Sequence, residues 1–471
     1  MSDSGAGDGA ATDAPAQAAR PAPLLDAGML GLASGAILVP LNSTMLAVAL
    51  PSIMTEFAIG ASTVAGLVTV YLVAVAIALP ASGSLGDRFG HRRVFLAGVG
   101  LFGTASALAA LAPSFALLAL FRVLQAVSGS LVSTSSVALL RVSAPPDRRG
   151  SVFGLFDGVT SISAAVGPLI GGLLASWFGW RSMFVLAVPV AIAALALVGV
   201  LLPAPPVEAR GGRPRRIDLP GLALLAVAMI ALLVGIRGIE DGRPDLALAI
   251  VAVPFVLVAF IAVEARTDNP AVDPALFRSR TFAAATIGVL GATVILHGTF
   301  VIVPLLVEEL QGGVATTSGL VLLGVSALWA VAAPYGGRLS DAAGRRRPAV
   351  AGMLVCAGAL GLLWLVAPET TPIVVGGLMA VVGLGMGVSG SPRQTAALET
   401  VEPVRAGMAA GTFLVGRYIG GALGATMAGV VLGGAVTAAG VTLGFGLLTV
   451  VALLVAGVSL LLPGRRTNGD A

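Results

Sequence analysis

Four side chains able to carry charge, Arg122, Asp157, His297 and Arg417, lie inside apolar runs of this sequence. Each run is about twenty residues, long enough to cross a roughly 30 Å hydrocarbon layer. Ionisable groups at such depth are costly, and they serve proton relay or the binding of polar solutes. Arg122 falls about 12 Å from one end of its run at 1.5 Å per residue. Gln125 and Ser128 follow it on nearly the same helix face. Arginine keeps its charge in proteins, so Arg122 needs a partner. Asn42, in "LVPLNSTMLAVALP" (38–51), lies at similar depth and can hydrogen-bond it but cannot neutralise it.

Asp157 is the one carboxylate well inside a run, about 10 Å from its nearer end. Set between burial and a cation, an acid there can have its proton affinity moved either way, as a proton carrier requires. The competing reading is a residue at the wet mouth of a cavity. His297, one of two histidines, titrates near neutral pH when unperturbed and is the second proton-coupling candidate. As a lone histidine on an apolar helix it reads equally as a neutral core residue. Arg417 lines a cavity or binds internal groups. Tyr71, Phe300, Trp329, Trp364 and Tyr418 are candidates for an apolar pocket wall.

The elements that position these groups are transmembrane helices. The chain has 471 residues, 57% hydrophobic, with mean hydropathy +1.00 and 11% charged residues, against about 25% charged in soluble domains. An all-α polytopic membrane protein follows. The hydropathy predicts fourteen spans, near 28–54, 61–82, 93–112, 115–141, 150–175, 181–203, 219–236, 245–264, 281–307, 316–336, 348–366, 372–392, 406–432 and 438–462. With both termini cytoplasmic, 22 arginines, Arg393 among them, fall in cytoplasmic segments and three, Arg181, Arg237 and Arg243, in external loops. That bias fixes the orientation.

"GSLGDRFGHRR" (83–93) recurs as "GRLSDAAGRRR" (337–347), 254 residues on. The repeat predicts two equivalent six-helix bundles with a solute site between them. The organisation is then a cytoplasmic tail (1–27), a first bundle (28–203), a linker (204–218), two additional spans (219–264), a linker (265–280), a second bundle (281–462) and a tail (463–471). The additional spans read as peripheral, and Glu308 and Glu309 as solvated acids at a helix end.

Composition also excludes. All 27 basic residues are arginine, so neither a phosphate-cradling P-loop nor a Schiff-base lysine can form, and no enzyme activity is expected. No basic stripe suggests nucleic acid. The single Cys356 is packing filler, and no metal or cofactor is expected.

The motifs resemble the major facilitator superfamily, specifically its fourteen-span drug:proton antiporter branch. Gly83, Leu85, Asp87, Gly90, Arg92 and Arg93 match the signature of the loop after span 2, echoed by Gly337, Asp341, Gly344 and Arg346. Arg122 and Gln125 match the span-4 pattern, with Ala126 in place of its glycine. Gly167, Pro168, Gly171 and Gly172 match the span-5 exporter motif, and "RYIGGALG" (417–424) the span-13 pattern. The resemblance implies gating at these loops and glycines, and an acid at position 42, where this chain has asparagine. Asp157 is a departure from the small residue usual there.

The expectation is a bacterial, monomeric, multi-pass plasma-membrane exporter of small lipophilic compounds, driven by proton antiport. Two fixed positive charges, one histidine and one carboxylate suit neutral, zwitterionic or anionic compounds better than dications. A tetracycline-type exporter, an uptake symporter, and a proton-uncoupled lipid or metabolite transporter or sensor are the alternatives.

Overall fold

The computed structural model describes residues 27–143, 149–201, 218–240, 243–267, 270, 272–399, 401 and 406–464. Among them every regular element is helical. The first expected span is built from α1 (Ala27–Met45), a 3-10 turn (Leu46–Ala49) and α2 (Leu50–Phe57). Pro51, near the start of α2, has no amide proton to give the preceding turn, and the helix tightens there. The first bundle continues with α3 (Ala61–Phe89), α4 (His91–Ala110), α5 (Phe115–Ser143), α6 (Arg149–Phe178) and α7 (Arg181–Leu201). Next come α8 (Leu219–Glu240), α9 (Pro244–Ala247) and α10 (Ala249–Glu264).

The second bundle opens with α11 (Arg280–Leu305), which ends in a π-helical turn (Leu306–Leu310). It continues with α12 (Ala315–Ala343), α13 (Arg346–Val366), α14 (Pro372–Glu399), α15 (Ala406–Leu432) and α16 (Ala438–Ser459). Among the described residues, 12 helical segments are long and apolar enough to cross a membrane. The described apolar parts of α6 and α8, Ile162–Phe178 and Leu219–Leu232, are shorter.

The signature expected in loops is mostly helix. α3 runs on to Phe89 and α12 to Ala343, so Gly83 and Asp87, like Gly337 and Asp341, lie on the helices themselves. Polar residues outside the hydrocarbon can stay helical, and what stops each helix is backbone conformation. Gly90 and Gly344 have φ of 90° and 81°, a region that glycine enters without penalty. The repeat is visible in a second detail. Arg92 Nη2 donates to Gly199 O (2.8 Å) at the end of α7, and Arg346 Nε to Leu462 O (2.9 Å) after α16. Each arginine thereby satisfies terminal carbonyls of the last helix in its own bundle.

The bundles meet along two seams, α3 on α15 and α6 on α12. Hydrogen bonds join the bundles in the half away from the chain ends. These are Ser62 N to Gly433 O (2.9 Å), Thr69 Oγ1 with Thr426 Oγ1 (3.1 Å), Ser176 Oγ with Thr316 Oγ1 (2.8 Å), Thr316 N donating to Ser176 Oγ (3.2 Å) and Thr316 Oγ1 donating to Gly172 O (3.3 Å). Toward the chain ends the seams loosen. A side chain at Gly83 would meet nothing within 4 Å, and Phe89 and Tyr335 are exposed.

Glycine makes the tight half possible. Gly167 lies against Thr44 of α1, Gly171 against the Met45 carbonyl, and Gly172 against α12, where a Cβ would come within 2.5 Å of Ala315 O. Gly319 of α12 meets the Pro168 carbonyl in return. Small residues let helices approach until backbones touch. Consequently α6 packs on α1 and α12 and only marginally on α5.

The additional helices are not wholly peripheral. Leu225 and Met229 of α8 and Phe260 of α10 share a core with Tyr71, Leu72 and Val75 of α3 and Val415 and Ala422 of α15. α8 therefore covers the α3–α15 seam, while most of α10 is exposed.

Candidate functional site

Arg122 of α5 is 1% exposed. Its Nη1 donates to Asn42 Oδ1 of α1 (2.5 Å) and to Gln125 Oε1 (2.9 Å) one turn along α5. Gln125 Nε2 donates in turn to Ser106 Oγ of α4 (2.7 Å), and Ser106 to Phe102 O (2.7 Å). The guanidinium carbon sits 4.1 Å from the centre of the Tyr71 ring of α3, within cation–π range. Four helices thus converge on one buried charge. Among the described residues no carboxylate pairs with it, and Arg122 Nε and Tyr71 Oη have no hydrogen-bond partner. Asn42 also opens onto a narrow cleft between α1 and α7 lined by Leu38, Met45, Met183 and Val190.

The structure therefore brings Asn42, Arg122, Gln125 and Tyr71 together, as the matching depths of Asn42 and Arg122 suggested. Tyr71 serves as a floor for the guanidinium and not as an open pocket wall.

The second cluster lies across the seam. His297 of α11 faces Gly421 of α15, where a Cβ would come within 2.8 Å of Nδ1, and Gly421 also touches Leu72 of α3. Its Nδ1 pairs with Thr293 O (3.1 Å), and the ring tilts against Phe300 at 6.4 Å. Phe300 is 5% exposed and belongs to the core. Thr293 Oγ1 donates to Arg417 O (2.8 Å), while the Arg417 side chain is exposed. Trp329 is half-buried against the main core. Trp364 lies on α13 beside Gly446 of α16, within the second bundle and not at a seam. The side chains of Asp157 and Asp87 lie outside the described residues.

Charge at the chain-end face is organised in the second bundle. Arg345 donates to Asp341 Oδ1 (2.8 Å), to Ser340 Oγ (2.9 Å) and to Glu399 (2.5 Å), joining α12 to α14. Glu399, then Asp341, raise its already high proton affinity. At the opposite face the "WRSMF" segment closes on α2, with Trp180 Nε1 donating to Glu56 (2.6 Å) and Arg181 paired with the same carboxylate.

Two groups were misplaced by sequence reasoning. Arg393, assigned to a cytoplasmic segment, lies in α14, 2% exposed. It donates to Ser389 Oγ (3.1 Å), while its Nε and Nη1 have no partner. α14 runs to Glu399, a full turn and more beyond the expected end, and carries Arg393 inward against Gly288 of α11. Hydropathy ends a span at the first charge, so only the unbroken helical pattern could have flagged it. Glu308, read as a solvated acid, is half-buried and accepts a hydrogen bond from the fully buried Ser318 (2.7 Å).

The model of the Major Facilitator Superfamily matches residues 32–425. The chain is 33% identical to the tetracenomycin C resistance and export protein of Streptomyces glaucescens over 409 residues, covering 86% of this chain and 75% of that one. It is 32% identical to multidrug resistance protein Stp of Mycobacterium tuberculosis over 406 residues, 84% of this chain and 74% of the relative. A crystal structure of a bacterial homologue of the human lysosomal transporter Spinster, inward-facing and unoccupied, superposes with a TM-score of 0.68 at 16% identity over 93% of this chain and 97% of that one. With the family model matched over residues 32–425 and relatives above 30% identical over most of its length, the chain belongs to the Major Facilitator Superfamily.

Proposed function

We propose that the protein exports small lipophilic compounds by proton antiport with alternating access, and that neutral, zwitterionic or anionic compounds suit it better than dications. The carrying observation is the Arg122 charge, buried beneath the seam and answered by amides and a ring. A lipophilic dication entering beside it meets repulsion without compensation, whereas a carbonyl, phenol or acid meets a donor. The relatives named for tetracenomycin C and multidrug resistance support export as the direction. In this reading the chain crosses a bacterial plasma membrane fourteen times as a monomer with both termini cytoplasmic. Arg88, Arg92, Arg93, Arg338 and Arg345 on the chain-end face support that orientation, since cytoplasmic faces collect arginine. The conformation is then sealed outside and loosened inside, ready to take a substrate from the cytoplasm or inner leaflet. Asp157 and His297 are the coupling candidates, and Asn42 with Gln125 orients Arg122.

The neutral setting of Arg122 also supports a second reading, an uncoupled transporter. Accumulation of matched cationic, neutral and anionic compounds in expressing cells, with and without a protonophore, separates them. Export of neutral or anionic compounds that stops with the protonophore supports antiport. Export that continues supports the uncoupled reading, and a quaternary dication as best substrate overturns the charge argument.

A further inference from the structure

The first turn of α12 is a hub at the sealed end. Thr316 and Gly319 contact α6, through Ser176, Gly172 and the Pro168 carbonyl. Ser318, between them in sequence and 0% exposed, reaches back to Glu308 at 2.7 Å. Glu308 sits on the π-helical turn Leu306–Leu310 that ends α11, a deviation often found where helices do work. Leu305, Leu306 and Val307 before it are 0% exposed. The 3-10 turn Leu46–Ala49 of the first bundle packs against both α11 and α12. The carboxyl group therefore borders the closure between bundles, and its surroundings depend on whether that closure is made.

The charges around it are few. Glu309 follows it and is exposed, and α12 carries no ionisable side chain between Ala315 and Tyr335. On α11, His297 lies about 16 Å back along the helix. Gln311 Nε2 is committed to the Ala367 and Thr370 carbonyls beside Glu369, and on α2 Glu56 is committed to Arg181. No cation among these answers Glu308. A carboxylate deprived of water without a cation is costly, whereas a neutral carboxylic acid is far less so.

We propose that Glu308 takes up a proton from the far side of the membrane as the bundles seal there, with Ser318 supporting its ionised form while the seam is open. The step is one proton added to one carboxylate, and it makes external acid favour return to the inward-open state. It rests on the antiport reading and gives that reading an entry point for the proton distinct from Asp157 and His297.

The test is a single reporter, Ser62→Cys, at the α3–α15 seam, labelled with a membrane-impermeant maleimide from about pH 8 to about pH 5 outside. Labelling is read at each pH as its ratio to that of Leu111→Cys, an exposed position, because thiolate reactivity itself falls with acid; native Cys356 is buried. The expected result is labelling that falls several-fold with acid, an inflexion that moves to higher pH in Ser318→Ala, and low, pH-independent labelling in Glu308→Gln. Glu308→Asp keeps the pH dependence and shows that the site tolerates substitution. A Glu308→Gln protein that labels like the parent at every pH overturns the proposal, as does a parent without pH dependence. Substrate-driven proton flux, read separately, tells its failure from that of antiport. Flux with unchanged labelling removes Glu308 alone, and pH-gated labelling without flux removes antiport alone.

Discussion

Arg122 and Asn42 meet across α5 and α1 at 2.5 Å, so a permanent charge is held by a side chain that cannot titrate. Asn42→Asp would place a carboxylate directly on the guanidinium. The expected outcome is a shift of substrate preference from acidic and neutral compounds toward cations, measured by competition in an export assay. Asn42→Ala removes the acceptor and leaves the guanidinium less satisfied, at a cost of about 1–3 kcal/mol. Thermal unfolding in detergent reads that loss.

Gly319 and Gly172 set how closely α12 can approach α6. Gly319→Val puts a branched side chain against the Pro168 carbonyl and holds the far end open. Expression and membrane insertion are expected to survive, while transport is lost. Labelling of Ser62→Cys should then rise above that of the parent, and reporter accessibility checks it.

Arg393 is buried in α14 with two nitrogens unpaired. Replacing a poorly compensated buried charge with an apolar side chain of similar volume is often neutral or stabilising, by about 1–4 kcal/mol. Arg393→Met should therefore raise or maintain the melting temperature. If transport falls while stability rises, the arginine is kept for the cycle; a large drop in stability would show that it serves folding.

Arg345 ties α12 to α14 through Glu399 and Asp341. Partly exposed ion pairs contribute about 0–1 kcal/mol, so Arg345→Ala should change stability little. A role in gating predicts a much larger loss of transport. Partial recovery in the exchanged pair Arg345→Glu with Glu399→Arg would show that the contact itself matters.

Much of this was legible in the sequence because a bilayer leaves few choices. Apolar runs become helices, arginines sort to one face, and the repeated GDRFGHRR-type motif is echoed in the matching carbonyl contacts of Arg92 and Arg346. The pairing of Asn42 with Arg122 was legible from the family resemblance together with their matching depths. Helix rotation was not: nothing in the composition says that α6 turns its glycines to α1 and α12 and leaves α5, or that Tyr71 lies beneath a guanidinium. Boundaries erred where polar residues continue a helix past the hydrocarbon, which hid Arg393 and stretched α3 and α12. Glu308 was read as solvated because proximity to a helix end suggests water, whereas a turn of π-helix and Ser318 keep it half-covered.

The most direct test of the account uses inverted membrane vesicles with an acid interior and a pH-reporting dye. Neutral, anionic and cationic lipophilic compounds are added to the parent protein and to Asp157→Asn. Neutral or anionic compounds are expected to release protons from vesicles containing the parent, and to release none from those containing the variant. Proton release triggered best by dications, or none from folded parent protein that still transports, would contradict it.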